Sequence, residues 1–218
     1  MRVKVSRKIF RSSTLAVAAA GLLAASQLVL AAPLVPGGVQ FPAIAEPDPV
    51  NATLLATTGP VPFSSPTFSG SLISSVFVND ASNPFGPTGL TFTYQLTNNP
   101  GQGDSIGRLT VSSFDGFLTD ASFNATVPVG GTPPTIITRS ANGQVMGFDF
   151  VSPALGPNTS SATLVVQTNT AQFNPTFASV IDGSTATVAS FAPQAVPEPA
   201  SIAALALGTL TLVRRRRD

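Results

Sequence analysis

The chain contains no cysteine, no histidine and no tryptophan in 218 residues, a single tyrosine, and only 10% charged residues. Without cysteine there is no disulfide, no zinc–thiolate site and no thiol nucleophile. Without histidine a Ser-His-Asp triad and an imidazole metal centre are excluded. Sugar-binding sites often stack aromatic rings on pyranose faces, and here the aromatic supply is Tyr94 and 15 phenylalanines. Basic residues are scarce where they would matter. The whole chain is formally +1. Between Ala32 and Pro193, however, Arg108 and Arg139 stand against Glu46, Asp48, Asp80, Asp104, Asp115, Asp120, Asp149 and Asp182, a net charge of −6. Such a body has little with which to neutralise phosphates, so nucleic acid is not an expected partner. It stays soluble among anionic polysaccharides but is not drawn to them by charge alone.

The basic residues sit at the ends. Arg2, Lys4, Arg7, Lys8 and Arg11 precede an apolar stretch from Leu15 to Leu30, interrupted by Ser26 and Gln27. Val29-Leu30-Ala31 presents permitted residues at −3 and −1, and Pro33 disfavours cleavage one residue later. Residues 1–31 therefore read as a secretory signal peptide cleaved after Ala31. The alternative is a retained signal anchor, because the apolar stretch is long. Arg7-Lys8 is not a twin-arginine pair, so the expected partner is the general secretion translocon.

At the other end, a linker and tail occupy residues 193–218. Pro197-Glu198-Pro199 is followed by an apolar run, Ser201–Val213, then Arg214, Arg215, Arg216 and Arg217. The two prolines fix φ and remove donors, which favours an extended segment presenting one carboxylate. A helix over residues 201–213 reaches about 20 Å, short of a hydrocarbon core of about 30 Å. It suits a transient membrane anchor with the arginines held on the cytoplasmic side. A short buried helix with a basic end is the competing reading. The segment Val196-Pro197-Glu198-Pro199-Ala200-Ser201, with the apolar run and the arginine cluster, resembles the PEP-CTERM sorting signal of Gram-negative bacteria. That resemblance implies an exosortase, a membrane-embedded cysteine transpeptidase, as processing partner. It implies Pro197, Glu198 and Pro199 as the sorting and cleavage motif, Arg214–Arg217 as the membrane stop, and export to the cell surface or extracellular matrix.

The body reads as β throughout. Leu90, Phe92, Tyr94 and Leu96 alternate with Thr91, Thr93, Gln95 and Thr97, the period of a strand packed on one face with threonines outside. Further strands are expected over 72–78, 108–114, 121–127, 135–139, 144–151, 162–168, 176–181 and 185–191. Asn98-Asn99-Pro100-Gly101, Asn142-Gly143 and Asp182-Gly183 break the chain between them, and Asn142-Gly143 suggests a tight primed hairpin. This pattern predicts an all-β antiparallel sandwich, jelly-roll-like, over residues 67–192. Residues 32–66 carry eight prolines and read as an extended arm in which only 51–57 could pair as a strand. The runs Thr88–Leu96, Asp104–Val111 and Phe114–Asp120 look like the β-rich body common in PEP-CTERM proteins, which implies architecture and no catalytic residue.

Chemistry in the body is sparse. Asp104, Asp115 and Asp120 flank one expected strand and could gather around Ca²⁺, but no Asp-x-Asp-x-Asp-Gly loop is present, and turn-forming aspartates are the favoured reading. Asp115 and Asp120 could act as a glycosidase pair. Surface acids are common on secreted sandwiches, so an enzyme is not expected. Arg108 and Asp104 are expected to pair across a turn. Threonine-rich strands raise lattice binding, but no repeat makes a flat array. The resulting expectation is an exported structural or adhesive protein without a cofactor. It would be sorted by exosortase and anchored transiently in the membrane. The alternative is a polysaccharide- or ligand-binding module, calcium-dependent in one version, with exopolysaccharide as partner.

Overall fold

The computed structural model describes residues 33–101 and 103–194. The signal segment and Ala31, the apolar run 201–213, the motif Pro197-Glu198-Pro199 and the arginine cluster lie outside the described residues. Among the described residues no helix is long and apolar enough to cross a membrane; the regular elements are all strands. They are β1 Val39–Gln40, β2 Thr53–Thr57, β3 Val61–Ser64, β4 Ser69–Val78, β5 Thr91–Asn98, β6 Arg108–Val111, β7 Thr119–Asn124, β8 Ile136–Arg139, β9 Met146–Asp149, β10 Thr163–Thr168, β11 Phe173–Asp182 and β12 Ser184–Pro193.

They form two antiparallel sheets. The first has the order β1-β8-β9-β6-β11-β12, and the second β2-β4-β5-β10-β7 with β3 also on β4. In the second sheet β2 pairs with Ser75–Val78 and β3 with Ser69–Leu72, so one edge of β4 is covered in two pieces with a register shift between Leu54 and Ala56. Pro62 is tolerated in β3 because an edge strand leaves one side of its backbone unpaired. In the first sheet β11 and β12 form a hairpin from Phe173↔Pro193 to Asp182↔Ser184. It turns on Gly183, whose φ of +62° few other residues adopt.

Period-two patterning places the core between the sheets. Leu72, Val76, Phe92, Tyr94 and Leu96 of the second sheet meet Leu109, Val111, Ile137, Phe148, Val180 and Val188 of the first in one apolar cluster. Full burial of such a side chain contributes about 1.5–3 kcal/mol. Phe92 and Phe114 add an edge-to-face pair with centroids 6.0 Å apart.

Three expectations about detail differ from the structure. Residues 32–66 supply β1 and β3 as well as the strand expected over 51–57, each pairing at a sheet edge. The turn at Asn142-Gly143 is not of the primed type: Gly143 has positive φ and Asn142 does not. Gly143 N–H instead donates to Ser140 O inside a six-residue connection between β8 and β9. The threonine face of β5 is not solvent-facing either, since Thr91 and Thr93 are buried. Thr91 is covered by Asp80 and Asn83 of the connection between β4 and β5, and Thr93 lies beside Asp48 and Pro49 of the segment 45–50, which starts along the edge of β7. Ala45 bridges Phe123 in parallel fashion, Glu46 N–H donates to Phe123 O, and Val50 N–H donates to Asp80 Oδ1.

Candidate functional site

The arm and the connection between β4 and β5 cover part of the outer face of the second sheet and leave a buried polar layer beneath. Its best-connected member is Asp80, just after β4. Asp80 Oδ1 accepts from the Val50 and Ser82 amides at 2.8 and 3.0 Å and from Ser82 Oγ. Asp80 Oδ2 accepts from Thr91 Oγ1 at 2.6 Å and Gln167 Nε2 at 3.0 Å. Burial works to raise this carboxyl, but the hydrogen bonds from Ser82, Thr91, Val50 and Gln167 outweigh it and hold it below the ordinary carboxylate range.

Beside this hub the arm and β7 bring Glu46, Asp48 and Asp120 together. Ser122 Oγ donates to Asp48 Oδ2 at 3.2 Å, and Asn124 Nδ2 donates to Asp48 O at 2.9 Å. Glu46 is pushed up to about 8, first by burial, then by a hydrogen bond shared with Asp48, then by the charges of Asp48 and Asp120. Asp120 is pushed up to about 6 by burial, against a backbone hydrogen bond from Ala121 and with the charge of Asp48 adding to it. A groove of about 320 Å³ leads to this cluster, lined by Pro33, Leu34, Val35, Gly38, Val39, Gln40, Ile44, Glu46 and Asp120. A second groove of about 320 Å³ crosses the same sheet between Asp48, Ile73, Phe77, Thr93, Gln95, Asn124 and Thr163.

The two arginines do other work. Arg108 Nη1 donates to both oxygens of Asp149, at 2.9 and 3.1 Å, and Nη2 donates to Thr138 Oγ1. Its partner is thus Asp149 and not Asp104, because β6 pairs with β9 and sets Arg108 opposite Asp149. Arg139 is buried, and its guanidinium donates to four carbonyls, those of Gly143, Leu34, Phe114 and Phe117. Burial lowers its pKa, with Asp115 opposing. It pins the start of the arm to two turns.

Asp104, Asp115 and Asp120 are dispersed. Asp104 is exposed and acts on Asp182, whose carboxyl is raised first by burial and then by that charge. Asp115 is exposed near Arg139, and Asp120 is buried against the arm. Among the described residues no group of three or more acidic side chains is arranged to hold a metal ion. Glu46, Asp48, Asp80 and Gln167 were not distinguishable as a cluster in the sequence. The one local signal was Asp80-Ala81-Ser82, whose spacing permits the Asx turn that forms.

The described part is therefore an all-β domain of two antiparallel sheets with an acidic face that the arm partly covers. Neither the curated proteins nor the solved structures compared with it give a match. Residues 195–217 match the PEP-CTERM protein-sorting motif. The chain carries that sorting motif, which implies an exosortase as processing partner and export to the cell envelope.

Proposed function

We propose that the protein is a non-enzymatic structural or adhesive component of the cell envelope or extracellular matrix, delivered by its sorting motif and cleaved near Pro197-Glu198-Pro199. The observation that carries this reading is the motif at 195–217, directly following an all-β domain. Intact-mass analysis of envelope protein from strains with and without exosortase tests the processing. Loss of residues 1–31 and of the arginine tail is expected, with the tail retained when exosortase is absent. Recovery of Arg214–Arg217 on mature surface protein overturns the sorting mechanism. Deletion of the protein should weaken matrix cohesion without altering polysaccharide chain length. Release of oligosaccharides by the purified protein overturns the non-enzymatic reading.

A second reading, binding of neutral polysaccharide, draws on the groove that Thr93, Gln95, Asn124 and Thr163 line together with Phe77. Hydroxyl and amide groups together with one aromatic ring suit a sugar face. Calorimetric titration with exopolysaccharide would show heat that Phe77→Ala removes; absence of heat with the unaltered protein rejects this reading.

A further inference from the structure

Glu46, Asp48 and Asp120 gather without a base of their own among the described residues. Arg108 is engaged by Asp149 and Thr138, and Arg139 by four carbonyls. Two buried acceptors beside this cluster lack a donor, Asp120 Oδ2 and Gln167 Oε1. These residues are cross-strand partners on β7 and β10 and are only 3% and 1% exposed. Turning the Gln167 amide does not help, because its Nε2 is already committed to Asp80 Oδ2 and Ser82 Oγ. A buried acceptor without a donor is costly, so the arrangement calls for a donor from outside the described side chains. A metal ion does not fit, since no three acids are placed to ligate one.

The groove leading to Asp120 is lined by Glu46 and by Pro33 and Leu34. Leu34 N–H donates to Thr119 O at 2.7 Å, which fixes residue 34 beside the neighbour of Asp120. At about 3.5 Å per residue, the nitrogen of residue 32 lies within about 7 Å of the Leu34 nitrogen. Pro33, its neighbour in the chain, lines the same groove as Glu46 and Asp120.

We infer that this groove is an ammonium site and that its occupant is the α-amino group of Ala32, set free when the leader is cleaved after Ala31. The inference rests on that processing. Before cleavage the nitrogen of residue 32 is a neutral amide. Hydrolysis adds water across the Ala31–Ala32 bond; the carboxylate leaves with Ala31, and the amine stays on Ala32 and takes up a proton at neutral pH. The acids the groove offers to that cation are Asp120 and Glu46 in its lining, with Asp48 next to them. Arg139, the nearest base, is bonded to the Leu34 carbonyl, with Asp115 acting on it. The raised carboxyls of Glu46 and Asp120 belong to the state without a counter-ion. An ammonium paired with a buried carboxylate such as Asp120 is worth more than an exposed ion pair, because solvent screens it less. The domain thus reaches its full stability only after its leader is gone.

The sequence supplies a clean test, because no lysine follows Lys8. The α-amine is therefore the sole primary amine of the mature protein, and an acetylating reagent modifies it alone. Intact mass first locates the terminus of the exported protein; a start other than Ala32 overturns both the processing and the inference. With the start at Ala32, acetylation at pH about 7.5 should run about tenfold slower than in a free peptide of residues 32–36. An opposing carboxylate raises the amine pKa by about one unit or more. Asp120→Asn should bring the rate back towards the peptide value, and Asp104→Asn should not. Glu46→Gln serves as the second variant if Asp120→Asn does not fold. Acetylated protein should melt below the unmodified form, and the gap should vanish in Asp120→Asn. Peptide-rate labelling of the unaltered protein, or an unchanged melting temperature on acetylation, overturns the inference while leaving the processing intact.

Discussion

Replacing Asp80 by alanine should be among the most damaging single changes in the domain. The carboxylate receives five hydrogen bonds, and three of its donors, the Val50 amide, Thr91 Oγ1 and Gln167 Nε2, come from other segments of the chain. Thr91 and Gln167 are 0% and 1% exposed, so water cannot readily replace the lost acceptor. An orphaned buried donor costs about 1–3 kcal/mol. Partial relaxation of the three brings the expected loss to about 3–5 kcal/mol, the range for breaking one side of a buried charged network. At about 2–4 °C per kcal/mol for a domain of this size, the melting temperature should fall by about 10 °C. Asp80→Asn is the sharper probe. Its oxygen can still serve Val50 and Ser82, and Thr91 can turn its hydroxyl to accept. The new amide nitrogen, however, faces the Gln167 nitrogen, donor against donor. That variant should lose about 1–2 kcal/mol. Urea unfolding followed by circular dichroism measures both, with an unchanged slope if the native state stays compact. The Asp80 carboxyl is held below its ordinary value, so its contribution is present above pH about 3.8 and is lost as pH falls through the lower folded value. Asp80→Asn should flatten that acid limb. A loss below about 0.5 kcal/mol for the alanine variant would refute the reasoning, since surface changes away from such networks lie in that range.

Three further outcomes are expected. Tyr94 is fully buried and its hydroxyl donates to Phe191 O at 2.9 Å, so Tyr94→Phe should lower unfolding free energy by about 1–2 kcal/mol in the same urea assay. Gly70 has no room for a side chain: a Cβ would collide with the Thr97 carbonyl oxygen and come 2.7 Å from the Phe63 ring. Gly70→Ala should therefore cost about 1–3 kcal/mol by displacing β3 or β5, read as a lower melting temperature. Acetylated protein leaves Glu46 and Asp120 without a counter-ion, and both fold with raised carboxyls. The folded state then holds protons that the unfolded state releases, so stability should fall as pH rises from about 4 towards 8, Asp120 acting first and Glu46 last. A thermal melt series across that range checks the slope.

The strands from β4 to β12 were legible because each sends alternate side chains into the core, which writes a period of two into the sequence. The Asn98–Gly101, Asn142-Gly143 and Asp182-Gly183 breaks separate them. Strand β1 has two residues and β3 contains Pro62, so neither carries a readable pattern. The fate of the β5 threonines was not legible for a different reason. Alternation says that Thr91 and Thr93 share a face, but not whether a remote segment covers it. The cover for Thr93 comes from the arm, where Asp48 and Pro49 lie beside it. Sequence distance hid the acid cluster too: Asp48 meets Ser122 across 74 positions, so Glu46, Asp48 and Asp120 were counted as charge and could not be grouped. The pairing of Arg108 followed strand register, with Asp149 41 residues away, and not proximity along the chain.

The point where the chain leaves the domain has a mechanical consequence. Strand β12 runs straight into the segment that bears the sorting motif, so any pull on a surface-held copy enters the fold at its last residues. Those residues are clamped across both sheets. Tyr94 holds Phe191 O, Ser74 Oγ accepts from Phe191 N–H at 3.1 Å, and Gln194 exchanges bonds with Gln172 and Thr170 on the β11 side. Tension at Gln194 is therefore shared between the two layers instead of peeling β12 from β11 one pair at a time. The exit of the chain acts as a rivet, and a tether that loosens should fail there only after Tyr94 and Ser74 let go.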